Sequence, residues 1–276
     1  MVDITADLVK SLRDRTGAGM MDAKKALIEA GGDIEKAQDV LRAKGLAKAA
    51  KAESREANAG AVALKIEGNK GVIVEINSET DFVARNEKFQ DFVAQVIAGS
   101  DGSMPAAIDG IPTEEAVAAQ IATIGERITI GRVASVEVGT GAVISYVHNR
   151  LGNNIGLIGV LLGIESTAQK AAIMEIGEQV AMHIAAAAPQ FLNSSDVDER
   201  TLERERSVAR EKAIAAGKPA DIAEKMVEGA IRKYYDEVVL NEQAFFIDPS
   251  KKVRDVVAGI GGDAKITSFV RFQIGK

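Results

Sequence analysis

One pattern constrains the fold more than any other: an alternating hairpin that occurs twice. Gly60-Ala61-Val62-Ala63-Leu64-Lys65-Ile66 alternates, turns at Gly68-Asn69, and returns as Val72–Ile76. Gly141–His148 alternates likewise, turns near residues 152–154, and returns as Ile155–Ile164. Period-two alternation places successive side chains on opposite faces, as a half-buried strand requires. Each hairpin runs into a helical pattern, Asp81–Ala98 and Thr167–Ala188. Each half then closes with a strand, residues 128–137 and residues 266–274. Two related three-stranded antiparallel sheets follow, each with helices on one face, in an α+β fold.

The sequence before the repeat reads as a module of three short helices over residues 1–45. Thr5 and Asp33 suit its N-caps, and Gly45 suits its stop. Residues 46–59 are rich in Ala, Lys and Glu without an apolar stripe, and read as a partly helical linker. The core halves span 60–139 and 140–276. The second carries a charged helical insertion at about 196–240, broken at Gly217-Lys218-Pro219 into an antiparallel pair. That pair reads either as a salt-bridged protrusion or as a docking arm.

At the first corner, Glu79-Thr80-Asp81-Phe82-Val83-Ala84, the apolar positions Phe82, Phe89, Phe92, Val93 and Val96 fall near one helix face. Asp81 is then a capping acid and Phe82 a core residue. The alternative is an exposed aromatic flanked by acid, which is an interface anchor. The equivalent corner of the second half, Glu165-Ser166-Thr167-Ala168, has a small residue near the place of Phe82. The architecture therefore does not require a Phe. Met20-Met21, beside Gly17 and Gly19, poses the same question between core filler and adaptable contact surface.

Chemistry finds little to work with. Cysteine is absent, which removes disulfides, thiolate metal sites and a Cys nucleophile. The only histidines are His148, expected exposed at a hairpin tip, and His183, expected as a satisfied core residue in a very apolar helix. No nucleophile elbow, two-His zinc helix, calcium loop, Walker loop or dinucleotide fingerprint is present. Catalytic residues, metals and cofactors are not expected. Net charge −6, 4% aromatics and no Trp disfavour nucleic acid. The longest apolar run, residues 155–164, is shorter than the roughly 20 residues of a bilayer span, so a soluble intracellular protein is expected. The residues by themselves lead to a soluble multi-module binding protein. A general adaptor or holdase working through the helical module, and a hydrolase using His148, remain open beside it.

Several motifs occur together in order: Arg15-Thr16-Gly17-Ala18-Gly19-Met20-Met21-Asp22, Glu79-Thr80-Asp81-Phe82-Val83-Ala84, Ile124-Gly125-Glu126, Ser145-Tyr146 with His148, Met182-His183, and Gly217-Lys218-Pro219. With them the chain resembles bacterial translation elongation factor Ts over essentially its whole length. The resemblance implies a cytoplasmic guanine-nucleotide exchange factor for elongation factor Tu, met in its GDP-bound and nucleotide-free forms. It implies that the N-terminal module is like a ubiquitin-associated domain and touches the partner's nucleotide domain through Arg13, Met20 and Met21. It implies that Thr80, Asp81, Phe82 and Val83 disturb the partner's Mg²⁺ site, with Phe82 as the wedge. Ile124, Gly125, Glu126 and His148 would support that contact. Phe246 and Ile247 would serve a second one, although they differ in type from residues common there. The helical pair would carry a homodimer or a 2:2 complex. The sequence ends just after the last strand, so the C-terminal docking helix of some members is not expected.

Overall fold

A computed structural model describes residues 3–275. Met1, Val2 and Lys276, which the expected module and second half include, lie outside the described residues. The chain is mixed α+β, with N-terminal helices followed by an antiparallel sheet covered by helices.

The module comprises α1 (Ala6–Thr16), α2 (Met20–Glu29) and α3 (Ile34–Ala52). Thr5 caps α1 by accepting from Leu8 N–H at 3.3 Å. Asp33 caps α3 by accepting from Glu35 and Lys36 N–H at 3.0 and 3.1 Å. Leu12, Ala23, Ala26, Leu27 and Ala37 fill a small core of their own. The structure corrects the expected stop at Gly45. α3 runs on to Ala52, so much of the expected linker is helix. Local propensity reads a glycine as a terminator, whereas here a neighbouring helix covers it.

The first half follows as β1 (Ala59–Glu67), β2 (Lys70–Ser78), α4 (Asp81–Ala84) and α5 (Glu87–Gly99). A two-residue ladder, β3 (Ala107–Ile108) with β4 (Ile111–Pro112), leads to α6 (Thr113–Ile124) and β5 (Ile128–Glu137). The second half is β6 (Gly141–Gly152), β7 (Ile155–Glu165), α7 (Lys170–Ala187), α8 (Glu199–Ala215), α9 (Ala220–Val238), α10 (Val253–Ala258) and β8 (Lys265–Gln273). The repeat is visible in backbone detail. Gly60 and Gly141, which open the two hairpins, both take positive φ, 134° and 114°. A Cβ on either would stand 2.1 Å from a carbonyl oxygen, that of Ile76 or Ile164. Only glycine fits there.

The two expected sheets are corrected to one. The β5-β2-β1 and β6-β7-β8 units are joined where Val62 and Ala63 of β1 pair with Gly156 and Ile155 of β7. The sheet folds over at that seam, so its halves pack on each other. Val62, Leu64, Ile73 and Val136 meet Val143, Val147, Leu161 and Phe272 in a shared core. The opposite faces carry helices: α5 and α6 over the first half, α7 and α10 over the second. Both faces are therefore buried, which the hairpin pattern alone does not reveal. Among the described residues no helix is long and apolar enough to cross a membrane.

Candidate functional site

The corner after β2 is built by two separate caps. Thr80 is extended (φ −126°, ψ 156°), and its hydroxyl accepts from Val83 N–H to start α4. That helix is a single turn. Asn86 then caps α5, its Oδ1 accepting from Lys88 N–H at 2.9 Å. The continuous helix expected over Asp81–Ala98 is thus broken at Arg85-Asn86. The break takes Phe82 off the stripe that buries Phe89 and Phe92. Phe82 is 81% exposed and Asp81 is exposed beside it. Val83 and Ala84 point inward and anchor the turn in the first-half core, so Val83 offers no side chain to a partner.

A pair of carboxylates holds the corner from across the chain. Glu126 accepts the Thr80 hydroxyl at 2.7 Å and the Thr80 N–H at 3.0 Å. Glu79 returns the contact, accepting from Arg127 N–H and from the Arg55 guanidinium at 3.1 Å. The Arg127 guanidinium donates to the Arg55 carbonyl. The Arg127 N–H, and then Arg55, hold the Glu79 carboxyl below its ordinary value. Gly125 makes this closure geometrically available, ending α6 at φ 88° with its N–H on the Ile121 carbonyl. Ile124 therefore ends α6, Gly125 opens the loop that clasps the corner, and Glu126 is its fastener. Glu79, Arg55 and Arg127 escape sequence reasoning because the residues they join lie 24 and 48 positions apart.

His148 is not at the hairpin tip. It sits within β6 opposite Ile158, and the turn is Asn153-Asn154. It is exposed, with Nδ1 3.2 Å from the Tyr146 hydroxyl and its ring stacked on Tyr146. The end of this hairpin meets the first half: Gly152 lies against Gln90, whose amide donates to the Ala84 carbonyl at 3.3 Å.

The other expected contacts lie elsewhere. Met20 and Met21 open α2 and are 61% and 64% exposed, so they are surface and not core filler. Arg13 Nε donates to the Ala18 carbonyl at 3.4 Å, steadying the loop that leads to them. In the second half Phe245 is buried while Phe246 and Ile247 are exposed. The Phe245 and Phe246 rings lie beside His183, whose centroid is 6.0 Å from Phe245 and 5.9 Å from Phe246. Nε2 of His183 bonds Gln243 Oε1 at 2.8 Å, but buried Nδ1 has no partner among the described residues. The expectation of a satisfied histidine is thus half met. Burial pushes its pKa down, against the Gln243 hydrogen bond.

His148 and His183 lie on separate elements, β6 and α7. Among the described residues no group of three or more His, Cys, Asp or Glu is placed to hold a metal. What the surface offers is a rigidly held exposed aromatic and several apolar contact points.

The family profile described as "Elongation factor TS" matches residues 79–276. The chain is 50% identical over 289 aligned residues to "Elongation factor Ts" of Paramagnetospirillum magneticum, covering 100% of this chain and 93% of that one. The protein of the same name from Rhodospirillum centenum is also 50% identical, over 100% of this chain and 94% of that one. The one from Zymomonas mobilis is 48% identical with the same coverage.

Proposed function

The chain belongs to the elongation factor Ts family, the non-catalytic exchange factors for elongation factor Tu, and from that premise we propose that exchange runs through the Asp81–Phe82 corner. The observation that carries this is an exposed phenyl ring on a turn fixed from both sides by carboxylates. A large aromatic left in water gains strongly from burial in a partner. A clasped backbone loses little freedom when it binds.

The mechanism needs no bond-making residue. A GTPase of the P-loop type holds GDP through backbone N–H groups, a lysine, and Mg²⁺ in near-octahedral geometry. Phe82, with Asp81 beside it, inserts between helices near that site and displaces them. A small shift suffices because Mg²⁺ tolerates little distortion. The factor thereby binds nucleotide-free Tu more tightly than the GDP form. Linkage requires that GDP weaken the factor's binding by the same factor, and excess GTP completes the exchange.

The remaining surfaces fit this reading. Met20 and Met21 give the ubiquitin-associated-like module an adaptable apolar contact, with Arg13 shaping its loop. His148 supports the first contact from β6, and Phe246 and Ile247 form a second on the other half. The two halves of the folded-over sheet are then two related subdomains gripping Tu on two sides. The α8–α9 hairpin leaves Val208, Ile214, Ile222 and Met226 exposed, which supports a second copy as its partner, in a homodimer or a 2:2 complex. Sedimentation of the free protein should give a dimer that Ile222→Asp converts to monomer. A monomer at all concentrations removes the homodimer, and a 1:1 mass for the complex with Tu removes the 2:2 assembly.

The deciding experiment is release of labelled GDP from Tu·GDP as this protein is added. Binding without acceleration would make the chain an adaptor or holdase instead. Glu126→Ala removes both hydrogen bonds to Thr80 and should lower the acceleration by at least roughly tenfold, with an unchanged circular dichroism spectrum. Unchanged acceleration would mean that the corner holds itself without Glu126.

A further inference from the structure

The surfaces assigned to the partner lie on different parts of the chain, Met20–Met21 on α2 and Phe82 on α4. A small module on a polar linker would move freely relative to the core. The connection in this structure is different. α3 is one 19-residue helix, about 28 Å long at 1.5 Å per residue. Its first half packs into the module through Ala37, Val40 and Leu41. Its second half lies on α6, meeting it at Gly45. A Cβ built on Gly45 would stand 3.4 Å from the Ala118 carbonyl oxygen and 3.6 Å from Ala122 Cβ. Glycine within a helix is unfavourable relative to alanine, and here it permits close approach of a second helix. Arg42 of α3 reaches Glu115 of α6 at 3.4 Å, while Ala49 and Ala52 pack on the first-half core. Three residues beyond the helix, Arg55 closes the connection at the corner itself. Its guanidinium bonds Glu79, its carbonyl accepts from Arg127, and Arg127 N–H bonds the same Glu79.

We propose that α3 is a rigid strut that presets the spacing between the Met20–Met21 surface and the Phe82 corner, with Gly45, Arg55, Glu79 and Arg127 as its positioning residues. The proposal rests on the assignment of both surfaces to elongation factor Tu. A preset spacing acts on affinity, because the second contact forms without ordering a linker and without dilution of its effective concentration. It does not alter what Phe82 does once seated, so the maximal exchange rate is independent of it.

The absence of cysteine makes the test direct. Lys10→Cys and Lys88→Cys, both exposed, place spin labels on α1 and α5 of the full chain. The expected result is one narrow distance distribution in the free protein, unchanged on binding nucleotide-free Tu. Gly45→Leu should broaden that distribution. It should also raise the half-saturating concentration in the labelled-GDP assay roughly tenfold while leaving the plateau rate intact. Gly45→Ala, at ordinary contact distance, should behave as wild type. Should Gly45→Leu fail to fold, Ala122→Leu crowds the same crossing from α6 and should show the same split. A broad distribution in the free wild-type chain overturns the proposal. So does a loosened variant that lowers the plateau at unchanged half-saturation. Failure of the wild type to accelerate GDP release would remove the partner assignment instead, and the labelled free protein would still decide the rigidity.

Discussion

Replacing Phe82 with alanine should leave the protein folded and remove most of its exchange activity. The ring is 81% exposed, so its loss opens no cavity. Surface substitutions of this kind shift stability by about 0.5 kcal/mol or less. Truncating a buried aromatic anchor at an interface typically removes at least about 2 kcal/mol of binding energy. If that energy displaces the helices around the partner's Mg²⁺ site, GDP release should fall by roughly 30-fold or more. Thermal denaturation and labelled-GDP release on the same preparation check both halves. Full acceleration by Phe82→Ala would show that the ring is not the wedge. A large drop in melting temperature would show that it is not free of the core.

The same substitution seven residues along should do the reverse. Phe89 is fully buried among Phe92, Val93 and Val96 under the first-half sheet. Phe89→Ala should cost about 3–5 kcal/mol, since the lost transfer energy adds to that of a cavity the core cannot collapse into. For a chain of this size the melting temperature should fall by roughly 6–20 °C. Below that transition, the plateau rate of GDP release should stay near the wild-type value, because the Thr80–Glu126 clasp is untouched. A melting temperature within a degree or two of wild type would mean that the site repacks. Together the two variants separate a functional phenylalanine from a structural one within one short stretch.

That separation marks the limit of what was legible. Phe82, Phe89 and Phe92 share helical spacing, and spacing alone assigns all three to one face. What divides them is a pair of short-range hydrogen bonds, Thr80 capping α4 and Asn86 capping α5. Asn86 suits a cap by type, but nothing nearby says that the first helix stops after one turn. The clasp was less legible still. The resemblance gives Glu126 a general supporting role at the contact, but its bonds to Thr80 span 46 positions. α6, which delivers it, carries ordinary boundary signals, Glu114 and Glu115 in its first turn and Gly125 at its end.

The sequence by itself determined the α+β class, the duplicated hairpin-helix-strand order, the α8–α9 pair and the absence of cysteine chemistry. These depend on local periodicity, on turn residues and on composition. Its motifs also carried the family. Only the tertiary structure decided that the two halves share one sheet folded on itself, that α3 continues through Gly45, and that Phe82 faces water. Each of these turns on which distant surface covers a given residue. Gly45 ends a helix in isolation but continues one when Ala118 and Ala122 lie against it. A phenylalanine at helical spacing belongs to the core only while the helix is unbroken.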